Sequence, residues 1–378
     1  MAENPFIIAE KIIPEYFCDR KKESQELIDF LRNGNNVVMV APRRIGKSGL
    51  IQFCFQQKRI KQDFLTVYID ILSTTNLQEF TYLLGLEVFN VVRSRGDGWW
   101  KRFFSVVKSI AGKISFDPVS GLPSLNLQLG DISQPSFTLK EIFEFIDTAS
   151  KPCIIAIDEF QQITRYPENN IEALIRGHLL QINNCRMIFS GSEANILSRM
   201  FIDASRPFYL SATIMELKTI PSEVYIEFIK EMFRKKSKRI STELCRRIYD
   251  MFDGITFYIQ RLCNAVFSNT GYEQEATEEI LRNSLEGILS SYDVVFRLRL
   301  SQLSTKQKEL LYAIAQEELV SQPTSAEFIQ RYSLSSASAT QTALKSLIKN
   351  QIVVKNDNGY RIDDRFFHYW LRRFLNRL

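Results

Sequence analysis

The stretch Val37-Val38-Met39-Val40-Ala41-Pro42-Arg43-Arg44-Ile45-Gly46-Lys47-Ser48-Gly49-Leu50 is a β-branched apolar run that breaks into a short loop ending Gly-Lys-Ser. A strand entering a sheet interior needs no polar alternation, and a helix that follows leaves its first N–H groups free to face an anion. The stretch reads as a phosphate-binding loop. Gly46 lets the backbone pass close to phosphates, the amides from Arg44 and Ile45 to Gly49 line them, Lys47 sets a cation over the β and γ oxygens, and Ser48 offers a hydroxyl to Mg²⁺. The strict pattern has Gly where this chain has Ala41; that position mainly needs a small residue at the strand end.

Working outward, the run at 37–40 is preceded by a helical pattern over 21–32, with Leu27, Phe30 and Leu31 on one face and Asn33-Gly34 as its stop. The helix after the loop continues to about 57, and 64–69 predicts a second strand ending in Asp70, which completes a βαβ unit. Asn76 caps a helix through about Val92, broken by Gly96-Asp97-Gly98. Residues 113–130 alternate, with Ile114 and Phe116 before a Pro-bounded turn at 118–123 and Leu125, Leu127 and Leu129 after it, as expected of an inserted hairpin or a loose extension. Thr138 and Glu141 have capping-box spacing for a helix up to Ser150. A fully apolar strand at 153–157 then ends in Asp158-Glu159, a helix covers 171–181, a strand at 187–189 runs into Ser190-Gly191-Ser192, and a last strand lies near 209–217.

From Ser222 the pattern is helical: 223–235, 242–252, 258–269 and 277–291. After Gln302 come helices at 306–317, 325–331 and 337–349, a hairpin around 352–362 and an aromatic, basic helix from Phe366. Three helices and a hairpin are the winged-helix order. The expected division is therefore a nucleotide-binding core over 1–220 with a hairpin inserted near 113–130, a helical lid over 221–298 and a winged helix over 299–378.

At 378 residues the chain exceeds what one core usually covers, and its 45% hydrophobic and 24% charged content is that of an ordinary globular protein. No run approaches the length of a membrane span, and residues 1–9 lack a basic start followed by a long apolar stretch, so cytoplasm is the expected compartment. The six cysteines stand without paired spacing and are expected as buried small hydrophobes; two histidines leave little room for histidine-based metal sites or nucleophilic catalysis. Residues from Arg299 onward hold 12 Lys+Arg and 7 Asp+Glu, which leaves 36 of each before them. That surplus permits an acidic partner such as nucleic acid.

The second chemical site is Asp158-Glu159, at the carboxyl end of its strand, where ligands of open α/β sheets gather. Phosphoryl transfer needs a carboxylate to hold Mg²⁺ and a positioner for the attacking water; Asp158 suits the first role and Glu159 the second. Ser190 or Ser192 is placed to sense a γ-phosphate, with an ordinary turn as the rival reading. Arg206 is a candidate to stabilise transferring charge, against a solvated surface arginine. Arg43 and Arg44 flank the loop, where phosphate contact competes with acid pairing. Asp253-Gly254-Ile255-Thr256 opens a helix in the helical part. His178 and the cluster Phe366, Phe367, Tyr369 and Trp370 are expected in packing.

Together, Arg20, Ala41-Pro-Arg-Arg-Ile-Gly-Lys-Ser48, Ile157-Asp158-Glu159-Phe160, Ser190-Gly191-Ser192, Arg206 and a C-terminal winged helix resemble the archaeal-type P-loop ATPases of the AAA+/STAND group, prokaryotic proteins distantly similar to origin-recognition ATPases. The resemblance spans essentially the whole chain. It implies an α/β P-loop NTPase fold with a parallel sheet in the order 5-1-4-3-2, followed by a helical lid and a winged helix. It also implies an adenine contact before the loop, which carries over to Phe17 and its neighbours. Where the family often has Gly-Gly-x-Pro, this chain has Asp253-Gly254-Ile255-Thr256. The expected function is an ATP-binding, ATP-hydrolysing switch with ATP or ADP and Mg²⁺ as ligands. The rivals are a DNA-binding replication or defence factor and a nucleotide-binding scaffold without turnover. DNA at the winged helix and a second copy or a protein partner are the macromolecular partners left open; no membrane contact is expected.

Overall fold

Strand β1, Val37–Val40, is apolar throughout and has neighbours on both sides, as a central strand must. This computed structural model describes residues 4–8, 13–116, 123–356 and 358–375; the expected turn at 118–122, Asp357 in the C-terminal hairpin and residues 376–378 lie outside them. With β2 Leu65–Asp70, β3 Cys153–Asp158, β4 Cys185–Gly191 and β5 Thr213–Glu216, the sheet has five strands, all parallel, in the order β5-β1-β4-β3-β2. That is the 5-1-4-3-2 order the resemblance implied.

The parallel register gathers the carboxyl ends on one edge: Val40 lies opposite both Gly191 and Glu216, and Asp70 opposite Asp158. All six residues of β3 are buried, Asp158 included. β2 alternates instead, burying Leu65, Val67 and Ile69 and leaving Thr66 and Tyr68 half-buried. Helices Leu77–Arg93 and Pro135–Asp147 close the core over β2, with Phe80, Leu84, Phe89, Leu139, Ile142 and Phe145 fully or almost fully buried. As expected, Asn76 caps the first of these by accepting from the Glu79 amide at 2.9 Å.

Two local expectations change. The capping box at Thr138 and Glu141 does not form, because Pro135 starts the helix one turn earlier. Thr138 and Glu141 instead meet Ser109, through its hydroxyl at 2.9 Å and its amide at 3.0 Å. A helix over Asp97–Val106, absent from the sequence reading, fills the stretch between Gly96 and the ladder of Ile114–Phe116 with Pro123–Leu125, and buries Phe103 and Val107 against the core. Glycines at 96 and 98 hid its start.

The described residues of 13–220 form one compact unit, and those of 4–8 with 221–375 form a second. In the second, helices Ser222–Arg234, Thr242–Met251, Thr256–Asn269 and Glu278–Ser291 follow the expected pattern, and a further helix, Asp293–Ser301, precedes the winged helix. The latter comprises Thr305–Glu317, Ala326–Arg331, Ala337–Lys349, the hairpin of β6 Val353–Asn356 and β7 Gly359–Ile362, and the terminal helix Arg365–Leu375. Phe366, Phe367 and Trp370 are buried, and all six cysteines are buried and free. Among the described residues no helix is long and apolar enough to cross a membrane.

Candidate nucleotide site

The helix Lys47–Gln56 begins without a side-chain cap and without an acid in its first turn, so its leading amides keep their capacity for an anion. The turn into it is left-handed at Arg44 (φ 65°) and Gly46 (φ 95°), and a Cβ built on Gly46 meets nothing within 4 Å. The space above the loop is open. Lys47 is 7% exposed, and its ammonium donates to the carbonyls of Pro42 at 3.0 Å and Ala41 at 3.3 Å. Burial lowers the Lys47 pKa, and Arg43 adds to that, while the carboxylates of Asp158 and Glu159 pull it back up. An anion delivered to this ammonium relieves its desolvation.

Asp158 is where the two motifs meet. It is 4% exposed, and a carboxylate so placed is tolerated only when hydrogen-bonded. Its Oδ2 accepts from Ser48 Oγ at 2.5 Å and Tyr68 OH at 2.7 Å, and its Oδ1 from Ser190 Oγ at 2.7 Å and the Glu159 amide at 3.0 Å. Register explains Ser190: Ile157 lies opposite Phe189, which sets the next residues of β3 and β4 side by side. Burial, then the Asp158 charge, raises the Tyr68 pKa, so the phenol stays a neutral donor.

Glu159 has a left-handed backbone (φ 57°, ψ 36°), which costs roughly 1–2 kcal/mol for a residue with a Cβ. Its Oε2 accepts from Gln161 Nε2 at 2.6 Å, Ser192 Oγ at 2.7 Å and the Ser192 amide at 3.2 Å. Gly191 makes room for this: a Cβ there would stand 1.9 Å from Gln161 Oε1. The sequence reading did not find Tyr68 or Gln161. The signal for Tyr68 was its place on the less buried side of β2, two residues before Asp70.

Other expected residues fall as follows. Ile45 is buried, and its carbonyl accepts from Arg20 Nη2 at 3.2 Å. Phe17 stacks on Phe53 of the loop helix, with ring centres 4.4 Å apart. Arg206 is not gathered with Lys47 and Asp158; it pairs with Glu172 at 3.2 Å, and burial raises the Glu172 pKa against the pull of that guanidinium. Asp253 (φ 50°) pairs with Arg361 at 2.7 Å and lies 3.7 Å from Arg365, so the turn that replaces Gly-Gly-x-Pro is tied to the winged helix.

The donors fit a nucleotide with a hard cation. Ser48 Oγ and Asp158 Oδ2 are oxygen ligands of the kind Mg²⁺ takes, and no group of three or more metal-binding side chains exists among the described residues, so phosphates and water must complete any coordination.

No curated relative matches the sequence. Among solved structures, the Walker-type ATPase PABY2304 of Pyrococcus abyssi is 20% identical, covers 97% of this chain and 99% of its own, and has a TM-score of 0.66. The Aeropyrum pernix ORC2 protein, solved as ADPNP–ADP complexes, is 15% identical with 99% of both chains covered and a TM-score of 0.57. The Aeropyrum pernix ORC1 protein in complex with DNA is 12% identical, covers 100% of this chain and 99% of its own, and has a TM-score of 0.53. At these identities the likeness shows the fold alone. A winged-helix domain family matches residues 294–373. Because the family described as "ATPase domain predominantly from Archaea" matches residues 17–262, most of the chain, this protein belongs to that P-loop ATPase family.

Proposed function

We propose that the chain is a Mg²⁺-dependent ATP-hydrolysing switch of the STAND type, in which nucleotide state repositions the helical lid and the winged helix. The observation that carries this reading is the convergence on Asp158: Ser48, 110 residues away in sequence, and Ser190 from the neighbouring strand both donate to it at hydrogen-bond distance. In this reading the amides of residues 45–49 and Lys47 hold the phosphates, and Ser48 with Asp158 holds Mg²⁺. When bound, the cation offsets the charge that develops on a transferring phosphoryl group. Ser190 sits where it can report the γ-phosphate through Asp158. Glu159, oriented by Gln161 and Ser192, holds the attacking water, and Arg206 acts on the site of a second copy. Free thiols at all six cysteines fit a cytoplasmic location.

Glu159→Gln tests it. The variant keeps size and hydrogen bonding but removes the charge that matters chiefly in the transition state. ATP affinity should hold while hydrolysis falls by roughly two orders of magnitude. Unchanged turnover overturns the assignment of Glu159, and wild-type protein that binds ATP without ever hydrolysing it favours the scaffold.

A second reading, DNA binding through the winged helix, is favoured by the solvent-exposed side chains of Gln341, Thr342, Lys345 and Lys349 on the helix Ala337–Lys349.

A further inference from the structure

Residues 93–116, the excursion between the helix Leu77–Arg93 and the short ladder, hold six cations (Arg93, Arg95, Lys101, Arg102, Lys108 and Lys113) and one acid, Asp97. All six cations are exposed. This local surplus equals the +5 of the whole chain and sits inside a part, residues 1–298, whose remainder holds 30 Lys+Arg against 35 Asp+Glu, so the cations are concentrated here. Hydrogen bonds hold two of these side chains without neutralising them, since Arg93 donates to the Pro123 carbonyl at 3.4 Å and Arg102 to that of Thr148. Lys113 pairs with Asp131 at 2.7 Å.

The same excursion presents rings. Phe116 is 54% exposed, and Trp100 meets it edge-on, with centroids 5.6 Å apart and planes at 70°. The Lys101 ammonium lies over the Trp100 ring, 5.4 Å from its centre, and Pro123, which holds Arg93, is the cross-strand neighbour of Phe116. Arg93, Trp100, Lys101 and Phe116 therefore cluster, with the Phe116 ring exposed beside the cations.

We propose that this excursion is a binding face for single-stranded nucleic acid, in which Phe116 stacks on a base and Arg93, Arg95 and Lys101 hold adjacent phosphates. A basic surface with an accessible ring matches a strand whose bases are unstacked and whose backbone is anionic. An anionic membrane fits less well. Insertion into a bilayer needs a broad free apolar face, and the helix Asp97–Val106 has spent its own on the core, with Phe103 at 0% exposure. The face belongs to the unit that holds the loop, and its assignment is independent of any role for the winged helix.

The test uses the full chain at low salt with fluorescently labelled dT20, the corresponding duplex and phosphatidylserine-containing vesicles. dT20 should bind most tightly. Phe116→Ala should weaken it about tenfold, the scale of one lost base–aromatic stack. Arg95→Gln/Lys101→Gln should reduce the slope of log affinity against log salt by about 1.4, the release of two single-strand counterions. Unaltered ATP affinity in every variant shows that the fold is kept. No binding of dT20, equal or tighter binding of duplex, preference for vesicles, or wild-type affinity in Phe116→Ala each overturns the proposal.

Discussion

His368 offers a quantitative test of the second unit. It is fully buried on the terminal helix, and neither ring nitrogen has a hydrogen-bond partner among the described residues. Burial, then the nearby charges of Arg365 and Arg372, pushes its pKa from 6.5 down to about 3. The native state therefore refuses a proton that the unfolded chain accepts below pH 6.5. The stability associated with neutral His368 is complete above that value and is lost progressively as the pH falls through the window from 6.5 to 3. At about 1.4 kcal/mol per pH unit, moving from pH 7 to pH 4.5 removes about 2.5 kcal/mol through this residue alone. His368→Leu abolishes the term while filling the same apolar space, and at neutral pH it discards two polar atoms that have nothing to bond. Carboxylates also titrate in this range, so the informative quantity is the variant-minus-wild-type difference. Urea unfolding followed by Trp370 fluorescence, in a Trp99→Phe/Trp100→Phe background that leaves it as the sole tryptophan, should show the variant gaining about 2.5 kcal/mol on wild type between pH 7 and pH 4.5. Parallel pH profiles would refute the reasoning, because they would mean that His368 is protonated as readily in the folded chain as outside it.

Lys47→Ala removes a charge-assisted contact and should weaken ATP about tenfold by calorimetry; equal affinity would count against the loop as the phosphate site. Gly191→Ala drives a methyl group into Gln161, so Glu159 loses the 2.6 Å bond that orients it; hydrolysis should drop about tenfold at constant ATP affinity, and a wild-type rate would show that Gln161 is dispensable. If Arg206 completes the site of a second copy, specific activity should rise with protein concentration and Arg206→Ala should flatten that rise; concentration-independent activity from a monomer would remove the claim.

The core was legible in the sequence because its strands need no tertiary information to be recognised. Val37–Val40 and Cys153–Asp158 are continuous apolar runs that end in the loop and in the paired acids. What the sequence withheld depends on which side chains meet across strands. Tyr68 is one alternating residue in Leu-Thr-Val-Tyr-Ile-Asp, and only the β2–β3 pairing brings its hydroxyl to Asp158. Thr138 and Glu141 had the spacing of a cap, but Pro135, with its fixed φ and missing donor, took the helix start and freed both for Ser109. Asp253 looked like a defective copy of a family turn; its partners, Arg361 and Arg365, lie more than a hundred residues on, beyond the reach of any local pattern.

Arg20 has a mechanical consequence. One buried guanidinium serves the Ile45 carbonyl within the loop, the Lys218 carbonyl just after β5 and the Glu23 carboxylate. Lys218 lies two residues before the last residue of the loop-bearing unit, so the phosphate cradle and the segment by which the chain leaves the sheet hang from a single hook. A shift of either that strands a buried donor or carbonyl costs on the order of 1–3 kcal/mol, enough for the loop and the exit segment to travel as a coupled pair.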